Sequence, residues 1–283
     1  MLKPKSLPTS SGAENLAGMM VGYTREMDVH AIALDELHDA PQDWNFFRPL
    51  PDGKMMELIE SIRENGLLVP LIVWERTRGA YMILSGHNRR RALEMLHRDT
   101  GDEKYARASC VVYQREAISE EDARSVLIDC NWVQRTLTPS EKARAVYAKY
   151  VGSGRQERGS GRRYEAIAEQ FGLKATQVYQ YYRLAQLEPE WLDMLDKGEL
   201  SIRAAAHLAK LTQRQREILR GQPGVSAKEI LSVDRSYSEE ETLAAIRRAS
   251  GERRELRMMV PAESYDRILA MVTRFLETES RKV

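Results

Sequence analysis

Helix-start signals recur from Ser119 onward, and that recurrence restricts the fold more than any other feature. Ser119 has an acid three residues on at Asp122, and Thr138-Pro139-Ser140-Glu141 repeats the arrangement with a proline at the first helical position. Ser226 with Glu229 and Ser238 with Glu241 repeat it again. A hydroxyl and a carboxylate at this spacing satisfy backbone N–H groups that every helix start leaves unpaired. From Ser119 the chain therefore reads as helical, except for one strand signal near its end.

Strand signals otherwise lie before Ser119. Ile32, Leu34 and Leu37 suggest an extended segment and a turn, and Asn45 to Pro49 is a loop carrying aromatics. Lys54 to Asn65 reads as a helix with Met55, Leu58, Ile59 and Ile62 on one face, ended by Gly66. Strands are expected at Leu68 to Trp74, Ala80 to Leu84 and Ala108 to Tyr113, and Pro70 assigns the first of them to an edge or a ligand-lined rim. The fold class is α+β: a small N-terminal α/β domain, then an all-helical domain, then a short strand-helix element. The expected boundaries are a flexible tail over residues 1–28, the α/β domain over 29–135, the helical domain over 136–235 and the last element over 236–283.

At 283 residues the chain has room for about two domains at ~150 residues each. No apolar run approaches the ~20 residues that span a bilayer, and the N-terminus lacks the apolar core of a secretory signal, so a cytoplasmic protein with no membrane partner is expected. Cys110 and Cys130 match no zinc spacing and read as two half-buried thiols. With 43 basic and 42 acidic residues, any nucleic-acid site must come from local clustering.

Two such clusters stand out. Ser85-Gly86-His87-Asn88-Arg89-Arg90-Arg91 joins a strand to a helix. Glycine lets backbone approach a ligand, the helix start presents unpaired N–H groups, and successive arginines favour an anion there; the alternative is an ordinary corner with a solvated basic helix. The second cluster is the loop from Gly152 to Arg163, with Arg155, Arg158, Arg162 and Arg163, which leads into a helix-turn-helix over residues 163–187. Ile167, Ala168 and Phe171 form the inner face of its first helix, Gly172 the turn, and Leu173 a plug into the core. On the second helix, expected over Thr176 to Leu187, Val178, Tyr182 and Leu184 or Ala185 face inward. Ala175, Thr176, Gln177, Gln180, Tyr181 and Arg183 face outward as candidate DNA contacts, joined by Arg162, Arg163, Lys174 and, beside the motif, Arg203. A helical hairpin without nucleic acid, and a surface salt bridge for Arg203, are the alternatives.

Glu14 to Val21 in the tail is either disordered or a short docking peptide. Glu255 to Val260 reads as a strand, and Ser264 to Leu276 as a helix with Tyr265, Ile268, Leu269, Val272 and Leu276 along one side. One strand and one helix cannot form a core alone. Either two copies pair through them or they pack back on the helical domain.

In the order and spacing of its pieces the chain resembles the ParB family of chromosome- and plasmid-partition proteins. Gly66-Leu67-Leu68-Val69-Pro70-Leu71-Ile72-Val73 is similar to the family's first nucleotide-contacting segment, Gly86 to Ala92 to its arginine box, and Asn131 to Arg135 with Leu137 to Ala143 to its third box and following helix. Asp196 to Ser201 also fits the pattern. The resemblance implies a homodimeric protein that binds a centromere-like site in double-stranded DNA, in the bacterial cytoplasm at the nucleoid or a plasmid. It implies CTP with Mg2+ as cofactor, closing the N-terminal domains into a clamp, and a ParA-type ATPase partner engaged by the tail. The implied nucleotide contacts are Gly66, Leu68, Pro70, Ser85, Gly86, His87, Asn88, Arg89, Arg90 and Arg91, with Asn131 as the metal ligand.

Two departures bear on the chemistry. His87 stands where the family has Glu, and Asn88 where it has its first Arg. The third box reads Asn131-Trp132-Val133-Gln134-Arg135 without its acid, so a hydrolytic water has no carboxylate to orient it unless Asp129 serves, and CTP hydrolysis is left open. Two further readings remain: a helix-turn-helix regulator with no nucleotide switch, and a nuclease or phosphotransfer enzyme on the same fold, which the scattered histidines speak against.

Overall fold

The computed structural model describes residues 29–152, 160–251 and 262–280. The expected tail, the arginines at 155 and 158, and the strand expected over Glu255 to Val260 lie outside those residues. The first unit is a five-stranded sheet made of β1 (Val29–Ala33), β2 (Leu37–His38), β3 (Leu71–Thr77), β4 (Ala80–Ser85) and β5 (Arg107–Tyr113), in the spatial order β1-β5-β3-β4-β2. β1 runs antiparallel to β5, β5 parallel to β3, β3 antiparallel to β4 and β4 parallel to β2.

The two faces of the sheet follow the alternation of its strands. Leu71, Val73 and Ile83 pack under α1 (Asp52–Asn65) and α2 (His87–Thr100). Trp74, Met82 and Leu84 face the other way, against Trp44 and Phe47 of the aromatic loop and α3 (Glu120–Gln134). Two expectations about β3 are corrected here. The strand is central rather than at an edge, and it starts at Leu71 rather than Leu68. Proline has no N–H for a ladder, so a strand paired on both sides can begin only after Pro70, and Leu68 is left 74% exposed.

The thiols of Cys110 and Cys130 are buried outright rather than half-buried, and burial pushes them up to about 12 and about 11. They stay protonated at neutral pH.

Helices α4 (Pro139–Gly152), α5 (Ser160–Phe171) and α6 (Ala175–Leu184) follow, then α7 (Pro189–Asp196), α8 (Ile202–Leu208), α9 (Gln213–Arg220), α10 (Ala227–Ser232), α11 (Glu239–Ser250) and α12 (Ala262–Ser280). The capping boxes form as the sequence predicts: Thr138 N–H donates to Glu141 Oε2 at 2.8 Å, and Ser226 and Ser238 N–H to Glu229 and Glu241 at 2.6 and 2.7 Å. α5 starts earlier than expected, so Arg162 and Arg163 belong to its first turns and not to a loop. Stacking of Tyr164 on Tyr150 (5.0 Å) and of the Arg163 guanidinium over the same ring (5.3 Å) holds that start in place.

Helix α3 joins the two units. Ala123 and Leu127 face the sheet, while Ile128 packs among α4, α5 and α6. Asp129 meets Lys149 Nζ at 2.7 Å and accepts from Gln170 Nε2 at 3.0 Å, tying α3 to α4 and α5. Burial raises the Asp129 carboxyl and lowers the Lys149 ammonium, each partly offset by the other's charge. On α12, Tyr265, Leu269 and Val272 of the expected apolar stripe are exposed.

Candidate functional site

The turn between β4 and α2 is shaped by Gly86. Its φ is +105°, and a Cβ there would lie 2.8 Å from Leu71 Cγ. The helix behind it starts without a side-chain cap, so its first N–H groups face the turn with no such partner.

Arg89 does not extend from this turn as a solvated charge. Its Nη1 donates to the carbonyls of Val69 and Pro70, both at 2.7 Å, and its Nη2 lies 3.5 Å from Ser85 Oγ. Burial lowers its guanidinium from the usual value. The consequence is structural: Arg89 ties Gly66 to Pro70 against Ser85 to Arg91, so the two stretches expected to contact one nucleotide lie side by side. Arg90 is held elsewhere, 2.7 Å from Glu94 and 3.7 Å from Asp39, and Arg91 is exposed. Asn88 is half-buried.

Arg135, at the end of α3, was not singled out by residue type alone. Its guanidinium bonds the Arg48 carbonyl and reaches Asn131 Oδ1 at 3.5 Å. Among the described residues Arg89 and Arg135, which both face His87, have no carboxylate partner, which leaves two cationic groups in this corner without a countercharge. That imbalance favours an anion.

His87 lies in the same corner. Its Nε2 is buried without a hydrogen-bond partner, and burial first, then Arg90, Arg135 and Arg89, lower its pKa to about 4 against the pull of Asp39. A histidine depressed below its unfolded value of ~6.5 binds fewer protons folded than unfolded, so stability is present above that value and is lost as pH falls toward 4. The expected loss approaches about 3 kcal/mol by acid titration of urea stability and is absent in His87→Gln; parallel curves for the two proteins would refute it.

Asn131 is poorly arranged for a metal. Its amide donates to Leu127 O at 2.9 Å, and its oxygen faces the Arg135 cation. No group of three His, Cys, Asp or Glu side chains suited to a metal occurs among the described residues, and Asp129 is engaged by Lys149 and Gln170. The residues as placed do not fit a divalent ion.

The second candidate surface is the helix-turn-helix. Gly172, at φ +64°, makes the turn, Val178 and Leu184 are buried, and Leu173 is half-buried against the core. Arg162, Lys174, Thr176, Gln177 and Gln180 are exposed, as is Arg203, which has no ion pair among the described residues. Arg163 is half-buried over Tyr150. Three outward assignments are corrected. Ala175 packs against the core that α6 shares with α3, α4 and α5, while Tyr181 also meets the core that contains α8 and Arg183 bonds the Ala209 carbonyl, because α8 closes over that side of α6. Tyr179, 46% exposed, takes the place given to Tyr181; its position one residue after the buried Val178 is the signal that could have found it.

A family model described as ParB N-terminal domain matches residues 20–121. The chromosome-partitioning protein Spo0J of Thermus thermophilus is 29% identical over 165 residues, 58% of this chain and 54% of that protein. A probable chromosome 1-partitioning protein ParB of Deinococcus radiodurans is 33% identical over 175 residues, 58% of this chain and 50% of that one. The chain thus spans about half the length of these curated relatives. Among solved structures, a C-terminally truncated ParB of Caulobacter crescentus complexed to the centromeric parS site aligns with TM-score 0.45 and 22% identity, over 77% of this chain and 99% of that one. The same protein complexed with CTP-gamma-S aligns with TM-score 0.31 and 24% identity, over 72% and 99%. Residues 20–121 thus match the ParB N-terminal domain family, and the chain is similar over about half their length to relatives named as ParB and Spo0J partitioning proteins.

Proposed function

We propose that this is a DNA-binding partition protein of the ParB type, in which CTP bound at the Gly86 turn switches a helix-turn-helix protein into a DNA clamp. The observation that carries the nucleotide half is the corner where Gly86 leaves an uncapped helix start beside Arg89 and Arg135, two guanidinium groups with no carboxylate partner among the described residues. Phosphates suit that corner. The choice of cytosine rests on the resemblance of Gly66 to Val73 and Gly86 to Ala92 to ParB sequences. Magnesium would arrive on the nucleotide, with Asn131 available to it only if Arg135 turned away. Pairing of two copies through the exposed Tyr265, Leu269 and Val272, and engagement of a ParA-type ATPase by the N-terminal segment, complete the reading.

Calorimetric titration with CTP, and with ATP, GTP and UTP as controls, tests it. Selective CTP binding is expected. No nucleotide binding by a protein that still binds DNA would leave a helix-turn-helix regulator without a switch. One observation favours that second reading: Arg89 already directs its donors to the Val69 and Pro70 carbonyls.

On the DNA side, Gln180→Ala is expected to lower discrimination between a selected site and its single-base variants by about 1–3 kcal/mol. Lys174→Ala should weaken binding to all sequences alike and reduce the salt slope by about one. Gel shifts across a salt series separate the two. Gln177 is a poorer probe, since its oxygen accepts from Lys174 N–H at 2.9 Å and stabilises the start of α6.

A further inference from the structure

The ring of His87 is the group in the arginine corner that the fold leaves unused. It sits at the first position of α2, immediately after Gly86, and its Nε2 is closed off from solvent with no partner. The Nε of Arg90 beside it is likewise buried and unpartnered. The charged groups facing the ring come from three elements: Arg89 and Arg90 on α2 itself, Arg135 at the end of α3, and Asp39 following β2. Asp39 is drawn toward Arg90, which Glu94 also holds. Cations therefore outnumber anions around the imidazole, and burial together with that charge keeps the ring neutral near pH 7.

An oligophosphate entering this corner reverses that balance. Its oxygens are acceptors, and a neutral imidazole has a single N–H to offer them while its other ring nitrogen turns a lone pair outward. A protonated ring donates instead, and the ligand's negative charges remove the repulsion that kept the proton away.

We propose that His87 is a ligand-contacting residue of this site, and that its ring takes up a proton from water when an oligophosphate binds, donating through Nε2 to a phosphate oxygen. No bond in the ligand breaks; the ring gains one N–H and solvent loses one proton. The site is then proton-linked, with multiply charged phosphates as its ligand class and tighter binding at lower pH. For CTP this rests on the nucleotide reading above, and inorganic tripolyphosphate tests the proton link without it.

The experiment is calorimetric titration of the full chain and of His87→Gln with CTP and with tripolyphosphate, each in buffers of low and high ionisation enthalpy. Titration of the ligand itself is common to both proteins and cancels between them. The parent protein is expected to take up most of a proton more than His87→Gln, and between about pH 7 and pH 8 its affinity should fall by up to about tenfold relative to the variant. Equal proton uptake and parallel pH profiles, with CTP bound by both, would overturn the proposal and leave the nucleotide reading standing. Proton-linked binding of tripolyphosphate without any preference for CTP would support the proposal and sink the nucleotide reading. Absence of binding of either ligand by the parent protein would overturn both. If His87→Gln does not fold, the His87 ring resonance of the parent protein decides: it must titrate near or above neutrality with ligand bound and well below neutrality without it.

Discussion

Gly86→Ala is expected to destabilise the protein by about 2–4 kcal/mol and to abolish oligophosphate binding. Two costs combine. A residue with a Cβ at φ +105° lies outside the region that L side chains accept, which alone costs about 1–2 kcal/mol. The added carbon also lies 2.8 Å from Leu71 Cγ and 3.2 Å from Arg89 Nη2. Leu71 is fully buried at the start of a central strand and cannot withdraw, so the turn itself must shift, and with it the helix start and the Arg89 contacts to Val69 and Pro70. Gly79→Ala is the internal control: its φ of +75° carries similar backbone strain, but nothing lies within 4 Å of the added carbon. Urea denaturation of both variants measures the difference. Equal losses would show that the Leu71 contact contributes nothing.

The second large effect is expected at Asp196, where α7 ends against the aromatic loop and the start of α4. Its side chain is 1% exposed, and its oxygens accept from Arg48 Nη2 at 2.7 Å, Ser140 N–H at 2.9 Å and Thr138 Oγ1 at 3.0 Å, besides the Ser140 hydroxyl. Glu141 closes the same junction, accepting Arg48 N–H at 2.7 Å. Truncation to alanine strands several donors in a buried place, and Asp196→Ala should cost about 3–5 kcal/mol. Arg48 is 53% exposed on its side chain, so Arg48→Ala should cost about 1 kcal/mol or less, because water replaces its bond. Thermal or urea unfolding decides between this asymmetry and a simple surface ion pair, for which the two losses would match.

The helix starts were legible because each depends on a few neighbouring residues. Ser119 with Asp122, Thr138 with Glu141, Ser226 with Glu229 and Ser238 with Glu241 all form the bonds their spacing predicts. The same holds for the turns at Gly66, Gly86 and Gly172, each at positive φ. Errors fell where pairing beyond the neighbourhood decides. Residues 68–70 have strand composition, yet β3 is flanked by β4 and β5, and a central position excludes the proline. Tyr181 and Arg183 have the polarity of an outward face, yet helix α8, more than twenty residues on, covers them.

The same division holds at the site. Sequence by itself determined that a glycine turn, a helix start and a run of arginines would coincide at residues 85–91, because all of these are properties of adjacent residues. Which arginine charges stay uncompensated was decided by the tertiary structure. Arg89 meets carbonyls 19 and 20 residues back, Arg135 a carbonyl 87 residues back, and Arg48 a carboxylate 148 residues ahead. A guanidinium on a long flexible stem bonds whatever acceptor the packed chain brings within about 3 Å, and only the assembled sheet and helices determine which acceptors those are.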